Sequence, residues 1–175
     1  MIQLQNHFES LTLGHPKSED TDISALINPK ETDRLKSWIQ EAKERGATIE
    51  IGGNVQGTVF EPTVITGATK DLSVNCQEAF GPIVTIEPYG DIDEAIAKVN
   101  DSEYGLQAGI YTKEVSIAFK AADELEVGGV IINDIPSFRV DNMPYGGVKN
   151  SGVGKEGIKY STEEMTELKF ISFKL

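Results

Sequence analysis

Three short apolar runs punctuate the sequence from residue 83 onward, and the spacing between them limits the folds open to it. They are Ile83-Val84-Thr85-Ile86, Ala108-Gly109-Ile110-Tyr111 and Val130-Ile131-Ile132-Asn133. Ile92, Ala95, Ile96 and Val99 lie between the first two, and Val115, Ala118, Phe119, Ala122 and Leu125 between the second and third. The runs have strand length, whereas the residues between them recur with helical period. Strands separated by helices of this size are most economically parallel, joined by right-handed crossovers and covered by those helices. The alternation predicts an open, mainly parallel α/β sheet.

Punctuation supports the alternation. Asn28-Pro29-Lys30-Glu31 combines a capping Asn, Pro at the first helical position and Glu three residues after the cap. Leu35, Trp38, Ile39 and Ala42 then form one apolar face, and Gly46 can end the helix in a left-handed conformation. Thr48–Ile51 reads as a short strand, and residues 60–65 as an irregular extended segment. Asp91 and Glu94 cap the next helix, and Gly128-Gly129 close the one after it.

Composition excludes several functions. A chain of 175 residues suits one domain with an adequate core, and 39% hydrophobic with 25% charged residues is a soluble balance. No apolar run approaches the roughly 20 residues that span a bilayer, and the N-terminus lacks the pattern of a signal peptide. The single cysteine, Cys76, rules out an intrachain disulfide and suits a reducing cytoplasm. A net charge of −12 argues against nucleic acid, because neutralising phosphates requires clustered Lys and Arg. His7 and His15 have neither triad nor metal-ligand spacing, so no metal is expected.

In open α/β sheets, ligands favour the crevice beyond the carboxyl ends of the strands. The segment leaving Asn133 has two prolines, two aromatics and Arg139, either as a ligand loop or as a surface loop whose aromatics pack down. Further on, Gly152-Val153-Gly154-Lys155-Glu156-Gly157 spells the GxGxxG of dinucleotide-binding turns. That motif must leave a strand and have an acidic ribose ligand about 20 residues later. Here a loop precedes it and only 18 residues follow, so it reads as a tight turn in which glycines permit positive φ.

Four motifs in order, Gln77-Glu78-Ala79-Phe80-Gly81-Pro82, Tyr104-Gly105-Leu106, Val130-Ile131-Ile132-Asn133 and the glycine-rich residues 143–157, resemble the C-terminal part of the NAD(P)-dependent aldehyde dehydrogenases. The resemblance covers essentially the whole chain but only about the last third of a family member. It implies the catalytic-domain fold of that family, with NAD or NADP as cofactor. Glu78 would accept hydrogen bonds from the nicotinamide ribose hydroxyls, and Phe80 would pack near the nicotinamide. Phe138, Arg139 and Tyr145 would line the aldehyde site. Arg139-Val140-Asp141-Asn142-Met143-Pro144-Tyr145 and Glu163-Glu164-Met165-Thr166-Glu167 look most like members acting on lactaldehyde, phosphonoacetaldehyde or, without phosphorylation, glyceraldehyde 3-phosphate. Arg139 could hold an anionic group there, or pair with nearby Asp141.

Oxidation in this family runs through a thiohemiacetal on a cysteine thiolate, hydride loss to the nicotinamide, and thioester hydrolysis by water that a glutamate activates. Cys76 matches neither the position nor the neighbours of that cysteine and reads as a small, half-buried thiol. No catalytic residue is therefore expected in the chain, which would be inactive alone. The other reading is a non-catalytic binding or assembly module derived from such an enzyme. Residues 1–167 would form the catalytic-domain portion. Residues 168–175, with apolar Leu168, Phe170, Phe173 and Leu175, would form an oligomerisation strand.

Overall fold

A computed structural model describes residues 2–175, without the side chains of residues 2 and 5, and the chain divides into two compact units, 1–88 and 89–175. The first unit contains α1 (Ile2–Glu9), α2 (Pro29–Glu44), β1 (Thr48–Ile51), β2 (Val55–Gln56), β3 (Val59–Phe60), β4 (Thr63–Thr66), α3 (Ser73–Cys76) and β5 (Ile83–Ile86). The cap predicted for α2 is present: Asn28 Oδ1 accepts the Glu31 N–H at 3.0 Å, and Pro29 opens the helix. Gly46, just beyond its end, has φ 91°. Helix α1 carries none of these start signals, so nothing local in the sequence predicts it.

The sheet order is β1-β4-β5. Strand β5 runs parallel to β4, with Thr63 opposite Ile83, while β1 joins antiparallel with a register shift between Ile49 and Ile51. The core gathers Leu35, Trp38, Ile39 and Ala42 from α2 around Phe60, Ile65 and Leu72. Thr63 is fully buried, yet its hydroxyl donates to Glu61 O at 2.8 Å and accepts the Gly53 N–H at 2.9 Å. Its own N–H donates to Pro82 O at 2.8 Å, which pins the chain just before β5.

The second unit contains α4 (Ile92–Asn100), β6 (Tyr104–Gly105), β7 (Gln107–Ile110), α5 (Val115–Glu124), β8 (Gly129–Ile132), β9 (Val148–Lys149) and α6 (Ile158–Glu164). Asp91 caps α4 by accepting the Glu94 N–H at 2.9 Å, as its spacing predicts. Strands β7 and β8 are parallel from Gln107 opposite Gly129 to Ile110 opposite Ile132, and α5 provides the crossover. The fold is thus mixed α/β with open sheets. Helix α5 ends at Glu124, earlier than Gly128-Gly129, because those glycines already bond to β6 and its neighbour: Gly128 N to Gly105 O and Gly129 N to Leu106 O.

Residues 168–175 form no strand, and Leu168, Phe170, Phe173 and Leu175 are all exposed. A strand exists only through its ladder partners, and among the described residues none is offered to this segment.

Two stability predictions arise from the first unit. Leu35→Ala should cost about 2–5 kcal/mol, since Leu35 is fully buried, whereas Asn28→Ala should cost only about 1 kcal/mol for the lost cap. Urea unfolding of both variants checks that ranking. The second concerns Asp71, which accepts the Thr69 hydroxyl at 2.6 Å and pairs closely with Arg45 beyond α2. The Thr69 hydrogen bond first, then Arg45, hold its carboxyl below the usual carboxylate range. The stabilisation is therefore complete above pH about 4 and is lost as pH falls through the lowered pKa. The pair is solvent-exposed, so the effect should be small: Asp71→Asn should be less stable than wild type at pH 6 and level with it in strong acid, by urea titration.

Candidate functional site

Glu78 and Phe80 belong to the first unit, in the loop between α3 and β5. The loop leaves α3 with Gln77 N bonded to Ser73 O at 3.1 Å, and Pro82 O delivers it to Thr63. Between these anchors, α2 holds it from one side. Arg34 Nη2 donates to Ala79 O at 2.6 Å, and Nη1 makes a longer approach to Glu78 O at 3.5 Å. The guanidinium is itself fixed, with Nε on Glu31 Oε2 at 2.7 Å and its carbon 4.3 Å from the Trp38 ring centroid. Gly81 lies so close to α2 that a Cβ there would come within 2.3 Å of buried Leu35 Cδ1.

The result is a loop that presents both predicted side chains outward. Glu78 is exposed and Phe80 is 73% exposed. Phe80 has φ 48°, a left-handed conformation that costs a non-glycine residue roughly 1–3 kcal/mol. A ring this exposed gains little from burial in return, so the conformation is imposed by the loop's anchors. An exposed carboxylate can accept protons from hydroxyls and an exposed ring can stack on a planar group, so both side chains are accessible to a ligand.

Cys76 ends α3 and is exposed rather than half-buried, because only Val74 of that single turn points into the core. Its Sγ lies 3.8 Å from Asp71 O.

The other three predicted site residues share the second unit, and the structure brings two of them together. The Arg139 guanidinium carbon is 4.3 Å from the Tyr145 ring centroid, and its Nη2 contacts Glu156 Oε2 at 3.0 Å. The ion-pair partner is thus Glu156 rather than Asp141. Backbone pairing explains this, since Tyr145 N donates to Glu156 O at 3.1 Å and Glu156 N to Tyr145 O at 2.6 Å, setting ring and carboxylate side by side. Phe138, half-exposed, is tied to β7 through its carbonyl, which accepts from Gln107 Nε2 at 3.4 Å.

The glycine-rich segment behaves as a turn. Gly152, Gly154 and Gly157 have φ 142°, 78° and 121°, and Lys155 Nζ donates to Gly146 O at 2.6 Å and Gly147 O at 3.2 Å. A cleft of about 460 Å³ opens there, lined by Tyr145, Gly154, Lys155, Glu156 and Glu164 among others. No group of His, Cys, Asp or Glu among the described residues could hold a metal ion.

Sequence reasoning missed Arg34 and Glu156. Arg34 follows Glu31 by three residues and borders the apolar face of α2, but nothing local indicates that it reaches a loop 45 residues later.

Comparison with known proteins places these features in one family. Residues 1–171 match the aldehyde dehydrogenase family. The chain is 52% identical over 173 residues to a 3-sulfolactaldehyde dehydrogenase of Priestia aryabhattai, covering 99% of this chain and 36% of that enzyme. Among solved structures, aldehyde dehydrogenase 21 of Physcomitrella patens, in complex with its product succinate, superposes with a TM-score of 0.90 at 41% identity. That match covers 93% of this chain and 34% of the other. A glyceraldehyde-3-phosphate dehydrogenase of Methanocaldococcus jannaschii, complexed with NADP, gives 0.89 at 36% identity, covering 96% and 36%. Related structures hold NAD or NADP. The chain spans about a third of the length of the relatives it matches, and it belongs to the aldehyde dehydrogenase family.

Proposed function

We propose that this chain supplies the nicotinamide end of the cofactor site and the aldehyde-binding loop of an NAD(P)-dependent dehydrogenase that oxidises a small anionic aldehyde to its carboxylate. The dinucleotide, when bound, accepts the hydride. Glu78 binds its ribose hydroxyls and Phe80 packs near its nicotinamide ring. Phe138 and Tyr145 wall the aldehyde site and exclude water from it. Arg139 grips the substrate's anionic end.

The anionic substrate class rests on one observation, the half-exposed Arg139 stacked on Tyr145. A guanidinium carries five N–H donors in a rigid fork, and Glu156 engages it at Nη2, so the fork keeps further donors for a sulfonate, phosphate or carboxylate. The names of three relatives support it, since sulfolactaldehyde, glyceraldehyde 3-phosphate and the product succinate carry an anionic group beyond the reacting carbon, whereas lactaldehyde and betaine aldehyde, named in other relatives, carry none.

The family's nucleophilic thiolate and general base find no counterpart among these 175 residues, so the chain alone does not turn over. It works in the cytoplasm as part of a complete dehydrogenase. No helix among the described residues is long and apolar enough to cross a membrane.

The test is a dehydrogenase assay on 3-sulfolactaldehyde with the chain alone and with it joined to the N-terminal two-thirds of the Priestia enzyme. The chain alone should produce no NAD(P)H, and the joined protein should. Arg139→Gln in the joined protein should raise KM for the anionic aldehyde by about 10- to 100-fold, while leaving an uncharged aldehyde of similar size little changed. Equal effects on both substrates would reject the anion-binding role. A chain that never supports turnover in the joined protein would favour the binding or assembly module.

Residues 168–175 are proposed to pair with another chain, since exposed apolar side chains on a segment with no strand partner among the described residues are a template for strand addition. Light scattering should report more than one chain per particle, and deleting residues 168–175 should shift it toward monomer. A monomer at micromolar concentration for the full chain would refute the assembly role.

A further inference from the structure

We infer that Arg34 is a positioning residue: it sets the backbone of loop 77–82 and thereby the aim of Glu78 and Phe80. That the loop is aimed at a dinucleotide rests on the cofactor reading above; that Arg34 sets its shape does not. Besides Arg34, the loop is held toward its ends by Gln77 N on Ser73 O, Gly81 against Leu35 and Pro82 O on Thr63 N, and in its middle by Ala79, whose methyl packs against the core. Among the described residues, the hydrogen bonds to the backbone of residues 78 and 79 come from Arg34. These are the carbonyls just before Phe80, whose left-handed φ of 48° is not held by burial of its ring.

The guanidinium is prepared for this work. Glu31 takes Nε, the Trp38 ring takes one face, and Nη1 and Nη2 point at consecutive carbonyls. An ammonium could keep the ion pair with Glu31 but could not span both carbonyls from a stacked plane. A purely structural Arg, present to neutralise Glu31, would tolerate that exchange.

The experiment uses the full chain with Arg34→Lys and, as a second variant, Glu31→Gln, which removes the charge partner but leaves the fork. Backbone ¹⁵N relaxation should give order parameters near ~0.85 for residues 79–81 in wild type and in Glu31→Gln, and below ~0.6 in Arg34→Lys. The thermal midpoint and the order of β4 and β5 should stay unchanged, and fluorescence of Trp38, the single tryptophan, reports the stack. Titration with nicotinamide mononucleotide, followed at the Glu78 carboxylate and the Phe80 ring, should need about tenfold more ligand in Arg34→Lys than in wild type. A rigid loop in Arg34→Lys, or order lost throughout the first unit together with the loop, would overturn the inference. If the loop loosens but the mononucleotide moves neither side chain even in wild type, the cofactor reading fails while the hold of Arg34 on the loop stands.

Discussion

Burial of one face of α2 is the contact on which the first unit depends. Leu35, Trp38, Ile39 and Ala42 recur at helical spacing and cover the sheet that joins β1, β4 and β5. Leu35 is fully buried and also marks where Gly81 must pass, so the same side chain that closes the core fixes how near loop 77–82 approaches. Core packing and site geometry are not separable here. A substitution that lets α2 shift would move Glu78 and Phe80 with it.

This coupling also explains what the sequence did and did not disclose. Helix α2 was readable because its signals are local: an Asn cap, a Pro at the first turn, and an apolar face with period 3.6. The parallel pair β7 and β8 was readable because four-residue apolar runs flanking an amphipathic helix leave few alternatives. The β2–β3 hairpin and the β6–β9 pair were not, since two-residue strands carry no periodicity. The C-terminal segment alternates apolar and polar residues as a strand would, yet pairing needs a neighbour that sequence alternation cannot supply. Cys76 is exposed although thiols are usually buried, because a single turn of helix has too little surface to hide it.

The candidate site was legible only through resemblance. Nothing about Glu78 followed by an aromatic distinguishes a ribose ligand from a solvated acid, and the residues that shape its loop lie on α2, far away in sequence. For Arg139 the loop position left a ligand loop and a surface loop equally open, and the nearest acid along the chain, Asp141, is not its partner: Glu156 is brought near by the backbone bridge to Tyr145.

Arg34 and Arg139 carry the same equipment and do opposite things with it. Each stacks 4.3 Å from an aromatic centroid and each is paired with a glutamate. Stacking and pairing remove the rotamer freedom that would otherwise oppose any further bond, so both forks are preorganised. What separates them is where the remaining donors point. Those of Arg34, whose side chain is 28% exposed, are directed at the Glu78 and Ala79 carbonyls. Arg139 is 46% exposed and stands against Tyr145 at the edge of an open cleft. An anion arriving there meets a guanidinium already oriented, with a carboxylate partner that is itself 66% exposed and well screened by water. Glu156 can therefore orient Arg139 without neutralising it strongly enough to exclude a second anion. One constellation, a glutamate, an arginine and an aromatic ring, thus clamps the protein's own backbone where carbonyls meet the fork, and leaves the guanidinium open to solvent where they do not.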